Sequence, residues 1–330
     1  MPTIRDVARE AGVSEGTVSN VFNQRPHVAE RTKARVLDAA ERVGYHKNTL
    51  AQALRLGKRS VLGLCLRDIS NPTFSTIVQG VEAVARERGY QVILGNSDGT
   101  PETERDYLVE YLSQQVAGII TAPVLETPRL YETIWSARIP IVFINQRPPG
   151  VRGVLVKHDY SGGTRRAAEY LLEQGHTRIG TVFGPPYAAP GMEQQKALHA
   201  ALASAGVAVS QELEAFARLG IDGAYQAARQ LLTLPTPPTA MIGSTLAITL
   251  GCIRAISEAR CRVEFVGTGD EEWLQIFPEL TIVRQHSKAL GRAAVTQLMT
   301  QIDSPAFEQM NDDIVLPVEL LTPEGREVPS

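Results

Sequence analysis

Thr3-Ile4-Arg5-Asp6-Val7-Ala8-Arg9-Glu10-Ala11-Gly12-Val13-Ser14-Glu15-Gly16-Thr17-Val18-Ser19-Asn20-Val21-Phe22-Asn23 reads as two short helices and the break between them. Thr3 and Asp6 have capping-box spacing: the hydroxyl can take an amide of the first turn, and the carboxylate suits the helix's positive end. Ile4, Val7, Ala8 and Ala11 recur at helical spacing and give one apolar face. Gly12 ends that helix, since it adopts positive φ at little cost. Ser14 begins a second helix two residues later, with Thr17, Val18, Val21 and Phe22 behind it. Helices joined by so tight a turn cross steeply, which is the helix-turn-helix arrangement. A third helix over Arg31–Val43 is expected to bring Val36, Leu37, Ala40 and Val43 into a three-helix core.

A bundle without a partner explains the apolar positions but leaves the surface of the second helix unexplained. That surface carries Glu15, Gly16, Thr17, Ser19, Asn20 and Asn23, short polar groups able to reach phosphates and base edges. Gly16 inside a helix costs about 1 kcal/mol against alanine, which makes sense where a backbone must approach something closely. Charge points the same way. Residues 1–60 carry 11 Lys and Arg against 6 Asp and Glu, while the remainder carries 22 against 30. A basic end on an acidic body fits a tethered nucleic-acid module.

The run from Thr3 to Asn23, with Gly44-Tyr45 closing the third helix, resembles the signature of the lactose-repressor/galactose-repressor family. The resemblance implies that Glu15, Gly16 and Asn20 face base edges, Asn20 toward adenine and Glu15 toward cytosine N4. It places Thr17, Ser19 and Asn23 on phosphates; Thr3 and Tyr45 complete the candidate contacts of this module, residues 1–46. Residues 47–59 then match the family's hinge, which orders on DNA, pairs across a dimer axis and enters the minor groove. Leu54 falls where the family inserts a leucine wedge between base steps, the kind of insertion that kinks a duplex. The hinge departs from the usual pattern in having Lys47 for a proline and Gln52 for an arginine.

From Ser60 onward short apolar runs alternate with helical patterns. Strands are expected at Val61–Leu66, Tyr90–Gly95, Gly118–Ala122, Pro140–Asn145 and Gly153–Val156, then again at Arg178–Phe183, Ala215–Leu219, Ala240–Gly243 and Val263–Gly267. Two successive series of this kind predict two parallel, helix-flanked sheets, hence an α/β body of two Rossmann-like lobes over 60–330. Family resemblance extends here through Asp68-Ile69-Ser70-Asn71-Pro72-Thr73-Phe74, Gly175-His176-Thr177-Arg178-Ile179 and Leu280-Thr281-Ile282-Val283-Arg284-Gln285. It implies a periplasmic-binding-protein-like body with crossover strands, residues 60–160 joining 287–315 and residues 161–286 joining 316–330.

Ligands of such folds bind beyond the carboxyl ends of the strands, so a cleft between the lobes is the expected effector site. Candidate lining residues at strand ends are Asn71, Thr73, Phe74, Asn96, Asp98, Thr121, Asn145, Arg147, Thr245, Asp270 and Trp273, with Gln194 added from a family position. Sugar-responsive relatives place an arginine where Gln194 stands, an Asn-Asp pair where Thr245-Leu246 stand, and an aspartate where Gly269 stands. Their replacement argues for an effector with fewer hydroxyls than a hexose, with Arg147 holding an anionic group, or for no metabolite at all.

Other classes find little support. The chain lacks G-x-x-x-x-G-K-[ST] and H-E-x-x-H, and no nucleophile can be placed beside His158-Asp159, so no catalytic residue is expected. Cys65, Cys252 and Cys261 are scattered without metal-ligand spacing, and no cofactor or metal is implied. The apolar runs are too short to cross a membrane, and no signal-peptide pattern opens the chain. The expectation is a cytoplasmic homodimeric regulator, a repressor by resemblance, with operator DNA and a small molecule as partners. A solute-binding protein is excluded by residues 1–59; a DNA-binding regulator whose body answers to a partner protein is the alternative.

Overall fold

A computed structural model describes residues 2–22, 25–26, 28–45, 60–124, 128–186, 189–218, 220–270, 272 and 276–323. The chain divides into two compact units, Met1–Arg59 and Ser60–Ser330.

The first unit holds helices α1 (Ile4–Ala11), α2 (Glu15–Phe22) and α3 (Glu30–Arg42). The capping box at Thr3 is formed in both directions, and Gly12 ends α1 in the left-handed region at φ 60°. Ser14 opens α2 by accepting from the Thr17 amide at 3.1 Å. Val7, Ala8, Ala11, Val18, Val21, Val36, Ala39 and Ala40 make the core, closed at its edge by Phe22 and Tyr45. Leu37 was expected in that core and is not there: it is 47% exposed, and Ala39 takes the place. One residue is about 100° of helix, so Leu37 turns away from the line through Val36, Ala40 and Val43.

The second unit has two six-stranded sheets. The first lobe contains β1 (Val61–Leu66), α4 (Pro72–Glu87), β2 (Gln91–Asn96), α5 (Pro101–Ser113), β3 (Gly118–Thr121), α6 (Pro128–Ser136), β4 (Ile141–Ile144) and β5 (Val154–His158). The chain then crosses into α7 (Tyr160–Glu173), β6 (Ile179–Phe183), α8 (Ala189–Ser204), β7 (Glu214–Phe216), α9 (Ile221–Leu232), β8 (Ala240–Gly243), α10 (Leu246–Ala259), β9 (Glu264–Gly269) and β10 (Thr281–Arg284). It returns through α11 (Ser287–Asp303) and β11 (Ile314–Leu316), and crosses once more into β12 (Glu319–Leu321). The sheet orders are β11-β5-β4-β3-β1-β2 and β12-β10-β9-β8-β6-β7.

Every pairing in the first sheet is parallel. The second departs from the expected all-parallel sheet, because β12 runs antiparallel to β10. Expectation missed β10, β11 and β12: β10 has four residues and the other two have three each, too short to show a period, and Pro317-Val318 parts β11 from β12. The strand expected over Ala215–Leu219 is also shorter, ending at Phe216.

Sheet faces are apolar on both sides, as parallel strands require. Leu62, Leu64, Val142 and Val156 pack beneath α4 and α11, while Ile119, Ile141 and Phe143 meet Tyr111, Tyr131 and Ile134. The contact of α4 with α11 needs two glycines. A Cβ on Gly80 would sit 2.2 Å from the Lys288 carbonyl oxygen, and one on Gly291 would sit 2.2 Å from that of Ile77.

Candidate functional site

In the headpiece, Glu15, Gly16 and Asn20 are exposed on α2, and Thr17 and Ser19 are half-buried. Val18 and Val21, on the opposite side, hold the helix on the core. A Cβ on Gly16 would meet only Ser14 Oγ, at 3.7 Å. No close packing inside the headpiece therefore requires glycine there. Glu15 is held by Arg5, Nε to Oε1 at 3.0 Å, so its carboxylate arrives at any partner already paired. The Thr3 hydroxyl donates to Asp6 Oδ2 at 2.7 Å, and Tyr45 stacks obliquely on Phe22 with ring centroids 5.5 Å apart. These two candidates thus hold the module together at its ends. Asn23 and Leu54 lie outside the described residues.

In the body, the carboxyl ends of the strands in both lobes enclose a cavity of about 140 Å³. Asn71, Thr73, Phe74 and Asn145 line it from the first lobe, and Gln194 and Thr245 from the second. Asn71 caps α4 through the Thr73 amide, and Thr245 caps α10 through the Ile248 amide. Asn145, at φ 67°, accepts from the Tyr160 hydroxyl at 2.7 Å across the lobe crossing. Gln194 is buried and donates to the Ser244 carbonyl at 2.8 Å. Arg67, Asp68, Tyr160, Arg218 and Gln285 also line the cavity, and sequence reasoning missed them. Arg67 and Asp68 directly follow β1, so the strand-end rule used for the other candidates covered them too.

Two links tie the lobes beside this cavity. Lys157 Nζ bonds Glu193 Oε1 at 2.7 Å, and Gln146 Oε1 accepts from the Ala189 amide at 3.1 Å. Beneath the first lobe's floor, Glu104 is fully buried and accepts from the Tyr131 hydroxyl and, at 2.8 Å, from the Val124 amide. Burial holds its carboxyl above the usual range, against the pull of those donors and of Arg67. At the crossings between lobes, burial pushes His158 down to about 4, with its Nε2 unpartnered.

Residues 3–48 match the family of bacterial regulatory proteins called lacI, and residues 59–324 match the periplasmic binding proteins and sugar binding domain of that family. The chain belongs to the lacI family. It is a DNA-binding transcriptional regulator with a helix-turn-helix headpiece ahead of a two-lobed α/β ligand-binding body. The ribose operon repressor of Escherichia coli K12 is 30% identical over 320 residues, 94% of this chain and 96% of that protein. A structure of the lac repressor bound to ONPG in the repressed state superposes with TM-score 0.83 at 25% identity, covering 98% of this chain and 99% of that one. The transcriptional regulator CelR in complex with cellobiose gives TM-score 0.71 at 27% identity, covering 99% and 100%.

Within this lacI-family body several expected lining residues stand elsewhere. Arg147 does not line the cavity: Nη1 bonds Asp313 Oδ1 at 2.7 Å and the Gly153 carbonyl at 2.6 Å, at the edge of a separate depression. The loop after β4 turns back at Asn145, which carries Arg147 away from the strand end. Asn96 accepts from the Ile69 amide and braces the loop ahead of α4. Asp98 sits exposed in a turn at φ 51°, and Thr121 is buried beside Glu104. Asp270 accepts from the Ser287 amide at 2.7 Å and pins the start of α11. Trp273 lies outside the described residues.

Proposed function

We propose that this chain is a cytoplasmic repressor that binds a pseudo-palindromic operator as a homodimer, its affinity set by a small molecule in the interlobe cleft. Residues 1–46 read DNA, residues 47–59 form the hinge, and residues 60–330 bind effector and dimerise. The observation that carries this reading is α2: an exposed polar face holding a glycine that internal packing does not call for. Base reading falls to Gly16 and Asn20, with Glu15 steered by Arg5. Thr17 and Ser19 set the helix on phosphates, which position a protein without specifying sequence. Two-fold symmetry follows from one headpiece per half-site.

The relatives' names support the repressor assignment, and ligand-bound neighbours support a cleft effector. Catalysis has no place in the reading: His158-Asp159 serves the fold, Asp159 capping α7 through the Gly162 amide at 2.8 Å. Among the described residues no helix is long and apolar enough to cross a membrane, and no acidic, His or Cys cluster could hold a metal.

The test is removal of residues 1–59. The remaining body should melt cooperatively and lose sequence-specific DNA binding. Specific binding retained by that fragment would place the reading surface elsewhere.

A further inference from the structure

We propose that the ligand of the interlobe cleft is a compact anion, a carboxylate or phosphate, held between Arg67 of the first lobe and Arg218 of the second. This rests on the cleft being the effector site.

Charge is the first support. The cavity wall carries two guanidinium groups and one carboxylate, Asp68. Asp68 Oδ1 already accepts from the Ser70 amide at 2.9 Å and the Ser70 hydroxyl at 2.5 Å. Arg67 is anchored by its Nε on the Pro123 carbonyl at 3.1 Å, which fixes its plane at the cavity edge. Arg218 follows β7 and is exposed. A guanidinium carries five donors and no acceptor, and it pairs with carboxylate or phosphate through two parallel bonds.

The neutral polar groups lean the same way. Asn71 Oδ1 accepts from the Thr73 amide, Asn145 Oδ1 from Tyr160, and Thr245 Oγ1 from the Ile248 amide. Each of these oxygens already accepts one hydrogen bond within the protein; Gln194 spends its amide nitrogen on the Ser244 carbonyl and keeps its oxygen as an acceptor, so it is the two guanidinium groups that tip the wall toward donors. A polyol needs acceptors for its own hydroxyl protons, whereas an anion needs only donors. Five helices, α4, α7, α8, α9 and α10, also begin at this cavity, their first turns presenting backbone dipoles of the sign that favours an anion. Size sets the remaining limit: about 140 Å³ admits a molecule near the size of one small ring.

The arginines come from opposite lobes, so an anion held by both favours the closed arrangement and gives the cleft a means of biasing the lobes.

The experiment titrates the full chain with inorganic phosphate, D-ribose 5-phosphate and D-gluconate, against D-ribose and D-glucose, by calorimetry and thermal shift. At least one anion should bind about tenfold or more tighter than the neutral sugars. Arg218→Ala should erase that preference while leaving the melting temperature of the unliganded protein nearly unchanged, since the side chain is exposed. Neutral sugars binding as tightly, with no effect of Arg218→Ala, would overturn the anion assignment while keeping an effector cleft. Failure of all three anions to bind would overturn it as well. DNA-site selection, which uses no ligand, tests the repressor reading separately.

Discussion

The surface proposed to read DNA comes from one eight-residue helix of the headpiece, whereas the cleft gathers its wall from segments spread between Arg67 and Gln285. The first is supported by a small core rich in valine and alanine and by caps at the helix ends. The second exists only when two sheets, three crossings and the helices behind them are in place. A local site of the first kind tolerates damage to the body. A dispersed site of the second kind feels any change that moves one lobe. Substitutions should therefore separate the two regions cleanly, and their ranking sharpens the contrast.

The largest effect is expected from Gly291→Val. The new side chain begins where the Ile77 carbonyl oxygen already stands, and backbone cannot rotate aside. A loss of about 3 kcal/mol or more is expected, the upper end for overpacking. Calorimetry should show the body's transition falling sharply while the headpiece's own transition stays. Equal loss in both units would erase the distinction between them.

Acid should act on the body next. His158 is packed near His286, with the Tyr160 ring edge-on at 6.2 Å, and burial holds it at about 4 instead of its ordinary 6.5. The unfolded chain therefore binds this proton first, so stability is full above pH 6.5 and falls as pH drops toward 4. Across that window the loss is about 3 kcal/mol. Denaturant titrations at pH 7 and pH 4.5 should show it, and His158→Gln should flatten it. The same acid sensitivity in the variant would move the cause elsewhere.

Thr3→Ala should bring the smallest of these changes, confined to the headpiece. It removes the reciprocal cap with Asp6 and should cost about 1 kcal/mol of headpiece stability. Hydrogen exchange should quicken in α1 and leave β1 and β3 untouched. Faster exchange in those strands of the body would contradict the independence of the units.

Legibility followed the same division. In the headpiece the caps, the Gly12 stop and the apolar faces act within a few residues, so local chemistry revealed them in advance. The error at Leu37 was one of helix phase, where a leucine was taken for core and an alanine filled the space. In the body, strands with long apolar runs were equally visible, but β11 and β12 owe their existence to partners far away in sequence. The cleft was read through strand ends alone. That rule found Asn71, Phe74 and Asn145, and misplaced Arg147, because a positive φ at Asn145 redirected the chain. Arg218 was missed because the strand expected over Ala215–Leu219 ran through it, whereas β7 ends at Phe216 and leaves it at the strand end.

The most direct test of the account is selection of preferred sites from random duplex DNA by the full chain and by Asn20→Ala. The intact protein should enrich a two-fold symmetric site. Asn20→Ala should lose about 1–3 kcal/mol at one symmetric pair of positions and relax preference there alone. Enrichment of no site, or an unchanged preference in the variant, would contradict a headpiece that reads base edges through α2.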